Sequence, residues 1–272
     1  MMQALLPGRS RILDDHRLVL GSPVPVVQAL LWLEQARRWT LRRPPPGARA
    51  LSSGEVFLLE SELGPVVIKR KLELGLKGVL AAAGLREPQL QRSFRLGREA
   101  RAAGLQTPEP LLYAERQLGI GLETIVVIRF NAGVPPWSLL GHKRMLAPLL
   151  ESLGRELARW HAAGLRHRDL KGPNLLYVPE TSTSILLDLA GVHACSRMPG
   201  AHVRAQDLGR LRSGALAAGM TSRQWQHLLD AYCQQASLQG CDLRHDVAFH
   251  TAIDAFVQRK LQRYGKLNKP VY

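Results

Sequence analysis

The residues best equipped for chemistry in this chain lie in His167-Arg168-Asp169-Leu170-Lys171-Gly172-Pro173-Asn174, and in Asp188 at the end of the apolar run Ile185-Leu186-Leu187. A hydroxyl nucleophile needs a carboxylate to orient it and take its proton, and Asp169 offers one. Lys171 can neutralise charge on a moving phosphoryl group. Asn174 and Asp188 supply oxygen donors of the kind that hold a hard divalent cation such as Mg2+ on a polyphosphate. Together these residues are equipped for phosphoryl transfer from a metal-bound polyphosphate.

The elements around them are those such a loop requires. Before it, Leu149, Leu153, Leu157 and Trp160 recur at helical spacing and run out near Ala163-Gly164, where a helix should stop. After it, Leu175-Leu176-Tyr177-Val178 and Ile185-Leu186-Leu187 read as short strands joined through Pro179 to Ser184, a hairpin signal.

Composition sets the bounds. With 272 residues, 46% of them hydrophobic and only 6% aromatic, the chain can bury a full core built mainly from aliphatic side chains. The formal charge is +15, carried by 29 Arg and 8 Lys, which favours anionic partners without choosing among them. Cys195, Cys233 and Cys241 show neither paired nor zinc-ligand spacing, so a reducing cytosol is expected. No segment reaches the roughly 18 apolar residues of a membrane span, and the apolar part of the N-terminus is too short for a secretory signal.

Upstream, residues 55–60 and 65–70 are two β-rich runs meeting at Leu63-Gly64, and Lys69 ends the second. A basic helix spans residues 88–104, with Glu99 its one internal carboxylate. Residues 105–116 and 124–133 then lead through two further strands.

The loop His167-Arg168-Asp169-Leu170 with Asn174 resembles the catalytic loop of the protein-kinase-like superfamily. The order of the surrounding segments is similar to that of the bacterial lipopolysaccharide kinase (Kdo/WaaP) family across residues 50–235. These are Ile68-Lys69-Arg70, the helix Arg92-Ser93-Phe94-Arg95-Leu96-Gly97-Arg98, the stretch from Ala103 to Leu111, the catalytic loop, and Arg204 to Leu211.

The resemblance implies an α+β, bilobal protein-kinase-like fold, with a small antiparallel β-sheet lobe and a mainly helical large lobe. The expected division is an N-terminal extension at 1–48, the nucleotide-binding lobe at 49–134 and the catalytic lobe at 135–272. It assigns Lys69 to the α and β phosphates of ATP, with Glu99 as its partner, although Glu99 can equally pair with Arg95 or Arg98 on the helix surface. Backbone groups near Arg129 and Asn131 would meet the adenine edge. Gly54 is the sole glycine where a phosphate-covering loop would carry three, so Ser52, Ser53 and backbone N–H groups must serve. Asp207 would either brace the catalytic loop or cap its own helix.

The implied acceptor is a small-molecule or lipid-linked sugar of the lipopolysaccharide core. The chain has no Ala-Pro-Glu and only 84 residues after Asp188, which separates it from ordinary protein kinases; an atypical serine/threonine protein kinase is the alternative. A basic path through His193, Arg197, His202 and Arg204 reads as either the acceptor side or a solvated loop. The basic segment carrying Trp32 and Trp39, with Arg37, Arg38, Arg42 and Arg43, reads as either a membrane-surface helix or one packed on the small lobe. The expected location is cytoplasmic, with peripheral contact at an anionic inner-membrane face. Nucleic acid is not expected, because no stacking platform accompanies the charge.

Overall fold

A computed structural model of the chain describes residues 4–5, 10–13, 15–38, 47–51 and 55–266. They divide into two compact units, residues 1–99 with 108–131 and residues 100–107 with 132–272.

The first unit opens with strands β1 (Ala4–Leu5), β2 (Ser10–Leu13), β3 (His16–Leu20) and β4 (Val24–Pro25), then helix α1 (Val26–Arg38). Strands β5 (Ala48–Ala50), β6 (Val56–Leu59) and β7 (Val66–Glu73) follow, then helices α2 (Gly75–Ala82) and α3 (Gln89–Ala102) and the hairpin β8 (Pro110–Leu118) and β9 (Gly121–Arg129). Seven strands form one sheet in the order β2-β3-β8-β9-β7-β6-β5, with every neighbouring pair antiparallel.

The segment expected as an N-terminal extension is thus partly built into the sheet: β3 pairs with β8 from Arg17 opposite Glu115 to Leu20 opposite Leu112. Helix α1 carries Ala29, Trp32, Leu33 and Ala36 at the spacing of one helical face. It buries them in the same core as Phe57, Ile68, Leu112 and Val127. Each large side chain so buried contributes about 1.5–3 kcal/mol relative to exposure. Trp32 is fully buried, so this face of the helix packs on the sheet, as the second of the two readings has it. Trp39, Arg42 and Arg43 lie outside the described residues.

The second unit is built on helices α4 (Lys143–Ala162), α5 (Ala201–Ala217), α6 (Ser222–Leu238) and α7 (Val247–Lys266). Leu149, Leu153, Leu157 and Trp160 of α4 are buried, as their spacing predicts. Helix α6 opens with a reciprocal capping box, in which the Thr221 hydroxyl accepts the Gln224 N–H and the Gln224 side chain accepts the Thr221 N–H. Between α4 and α5 run strands β10 (Leu165–His167), β11 (Leu175–Val178), β12 (Thr183–Leu186) and β13 (Val192–Ala194). The expected hairpin is present as β11 with β12, and β10 pairs with β13. No helix among the described residues is long and apolar enough to cross a membrane.

Candidate active site

The loop from His167 to Asn174 sits between β10 and β11, and the pairing of the small strands fixes both of its ends. Its shape is locked by backbone bonds to the segment carrying Asp188: the Arg168 N–H donates to the Gly191 carbonyl at 2.9 Å, and the Leu187 N–H to the Asn174 carbonyl at 2.9 Å. His167 joins the two segments through its side chain. The Asp169 N–H can only donate, so His167 Nδ1 accepts it at 3.1 Å. The ring proton therefore sits on Nε2, which donates to the Asp188 carbonyl at 2.6 Å. Burial holds the imidazole below its usual pKa against the pull of the Asp188 carbonyl, so the neutral tautomer is the working form.

Gly191, three residues after Asp188, packs directly against the catalytic loop. A Cβ there would come within 3.0 Å of His167 Cε1 and 3.4 Å of Asp169 Cβ, so a side chain would push on the catalytic loop.

Within the loop, Lys171 Nζ lies 2.8 Å from Asp169 Oδ2. Asn174 Nδ2 donates to the Asp169 carbonyl at 2.8 Å, with Asp169 Oδ2 at 3.4 Å. Because the amide nitrogen is turned to that carbonyl, the Asn174 side-chain oxygen is the atom of this residue able to ligate a cation. The Asp169 side chain is 56% exposed, open to a substrate hydroxyl. Asn174 and Asp188 give two oxygen-donor side chains, and among the described residues no cluster of three or more His, Cys, Asp or Glu could hold a metal by itself. That donor set fits a cation such as Mg2+, which takes one or two protein oxygens and completes its shell from phosphates and water.

Beneath the loop lies Asp207, fully buried on α5. It accepts the His167 backbone N–H at 2.8 Å, pairs with Arg210 Nη1 at 2.8 Å and has His161 Nε2 at 3.5 Å. Of the two readings of Asp207 in the sequence, the structure has the loop brace.

The other expected residues fare differently. Lys69 is half-buried on β7, opposite Val56 and Val126. Glu99 does not carry the role expected of it: its carboxylate is 51% exposed and accepts from Arg95 at 3.0 and 3.3 Å, since the two lie one helical turn apart. The Arg129 N–H donates to the Glu109 carbonyl at 2.8 Å and the Phe130 N–H to Pro65 at 3.0 Å, so neither is left for an adenine edge. Arg129's guanidinium binds Glu109 and the Leu63 carbonyl. Asn131 keeps a buried side-chain oxygen with no hydrogen-bond partner among the described residues. Gly54, with Ser52 and Ser53, lies outside the described residues. On the expected acceptor path, Arg204 is turned inward, 4% exposed with Nη2 2.9 Å from Cys241 Sγ, and is withdrawn from any acceptor.

Sequence reasoning missed one feature. A cavity of about 510 Å3 beside Asp169 and Lys171 is walled by α5 and by the basic end of α7. The signal was present in the i, i+3, i+4, i+7 spacing of Phe256, Arg259, Lys260 and Arg263, which puts all four on one helical face.

Residues 69–232 match the model of the lipopolysaccharide kinase (Kdo/WaaP) family. Two similar curated proteins are the 3-deoxy-D-manno-octulosonic acid kinases of Xylella fastidiosa strains M12 and 9a5c, 26% and 25% identical over 163 residues. The matches cover 58% of this chain and 64% of each relative, so the chain spans just under two thirds of the length of these relatives. Among solved structures, WaaP in complex with acyl carrier protein superposes with a TM-score of 0.59 at 19% identity, over 89% of this chain and 98% of that one. The fold is therefore protein-kinase-like.

Proposed function

Because the chain belongs to the lipopolysaccharide kinase (Kdo/WaaP) family, we propose that it transfers the γ-phosphoryl group of ATP to a hydroxyl of a sugar or lipid-linked sugar of the lipopolysaccharide core. The observation that carries this reading is the catalytic loop itself. Asp169 is exposed, held by Lys171 at 2.8 Å and by Asn174 through its carbonyl at 2.8 Å, on a loop stitched to the Asp188 segment.

In this reading Asp169 orients the acceptor hydroxyl and takes its proton as the oxygen attacks phosphorus. Lys171 steadies the Asp169 carboxylate and offsets charge on the transferred group. Asn174 and Asp188 would hold Mg2+, which when bound neutralises charge on the phosphates. Lys69 is the proposed contact to the α and β phosphates. The acceptor to test first is the one in the relatives' names, 3-deoxy-D-manno-octulosonic acid. The reading places the protein in the cytoplasm, at the membrane face where a lipid-linked sugar is presented.

The decisive experiment follows label from [γ-32P]ATP into 3-deoxy-D-manno-octulosonic acid, a cell-envelope lipid extract and total protein in parallel. Asp169→Ala should lower transfer by about 1000-fold or more while leaving nucleotide binding in place. Label appearing only in protein would replace the sugar reading, and turnover indifferent to Asp169→Ala would remove the proposed base.

A further inference from the structure

The cavity beside Asp169 is lined by Arg168, Lys171, Arg210, Arg259, Lys260 and Arg263, and Asp169 is the sole carboxylate among its walls. Two of these cations are already balanced, Lys171 by Asp169 and Arg210 by the buried Asp207. Arg259 and Arg263 are exposed and have no carboxylate partner among the described residues. Lys260 is half-buried between them, and burial together with the nearby Arg210 lowers its ammonium pKa, as expected of a cation held among cations. Such a concave cluster raises the local concentration of anions and repels itself when empty.

Its position on the molecule is built in. Phe249, Ile253 and Val257 bury one side of α7. Gly209 of α5 lets Phe256 approach so closely that a Cβ there would come within 2.8 Å of the ring. Arg210 lies over the same ring, its guanidinium carbon 5.0 Å from the centroid. This contact sets the α7 face carrying Arg259, Lys260 and Arg263 toward Asp169.

Neither Asn174 nor Asp188, the groups fitted to the metal and nucleotide, lines this cavity; what it shares with the reaction is Asp169 and Lys171. We propose that the cavity is the acceptor subsite. It binds a carboxylate or phosphate carried by the sugar near its reacting hydroxyl, with Arg259, Lys260 and Arg263 as the residues that determine specificity. This rests on the kinase reading above and deepens it, and it uses a helix outside the family-matched residues 69–232. Arginine forks suit either anion, since both accept paired N–H donors.

The test compares the full chain with Arg259→Ala/Arg263→Ala and the charge-reversed Arg259→Glu/Arg263→Glu. The acceptors are 3-deoxy-D-manno-octulosonic acid against its methyl ester, for the carboxylate, and mannose 6-phosphate against mannose, for the phosphate. Loss of each charge-assisted contact should raise KM for the anionic acceptor about tenfold, more on reversal, with KM for ATP and for the neutral counterpart unmoved. A rise in KM for ATP, or equal use of charged and neutral sugars by the wild type, would overturn the proposal. If the wild type transfers no phosphoryl group to any sugar, the kinase reading fails. Binding of the same four sugars, followed by saturation-transfer NMR, still decides the subsite: charge-selective binding lost in the double variants supports it, and unselective binding sinks it.

Discussion

Two fully buried carboxylates, one in each unit, sit in similar company and do different work. Glu123 on β9 is held by Arg70 at 2.6 Å and Arg116 at 2.8 Å, with His16 at 3.8 Å. Asp207 on α5 is held by Arg210 at 2.8 Å, with His161 at 3.5 Å and Arg166 at 3.9 Å. The surroundings of Glu123 are side chains of β3, β7 and β8, so that cluster ties four strands of the sheet together. Asp207 also accepts the backbone N–H of His167, whose ring in turn receives the N–H of Asp169. One hydrogen bond to a loop backbone turns a packing device into a positioning device.

The comparison breaks most sharply at Asp207. Asp207→Ala leaves Arg210 without its buried partner and frees the loop. It should cost about 3–5 kcal/mol of stability and lower kcat about 100-fold through misplacement of Asp169, read by denaturant melts and by turnover at a temperature where the variant is folded. Glu123→Ala should cost a similar about 3–5 kcal/mol but leave kcat of the folded protein unchanged. A matching loss of kcat would make the two sites equivalent and end the contrast.

The smallest effect is a pH dependence. Burial pushes the Glu123 carboxyl up, yet His16, Arg70 and Arg116 outweigh it and hold the pKa near about 2, against 4.5 unperturbed. A depressed carboxylate adds stability that is fully present above pH 4.5 and is lost as pH falls toward about 2. The full contribution is about 3 kcal/mol. Acid melts of the wild type should show this loss, and those of Glu123→Gln should show a shallower one. Equal slopes would remove Glu123 from the acid response.

The contrast also marks how far the sequence could be read. Asp169, Lys171, Asn174 and Asp188 stand within about one loop and one hairpin of each other, and chemistry at short spacing is legible because local strand pairing fixes it. Glu99 and Arg204 misled for one reason: residue type and helical slot say nothing about which way a side chain turns once its helix packs. Glu99 went to Arg95 one turn away, and Arg204 went into the core beside Cys241. The basic helices α1 and α7 look alike as sequence. Packing buried the tryptophan face of α1 in the sheet core and brought the cations of α7 to Asp169.

The sequence alone determined the catalytic loop, the hairpin behind it, the helical periodicity of the larger unit and the family, because each is written in residues close together along the chain. Tertiary structure alone decided that β2 and β3 join the sheet, that Asp207 braces a loop 40 residues before it, and that α7 walls a cationic cavity. Those outcomes depend on contacts between distant segments, which are set by which faces can be buried together and not by any local pattern.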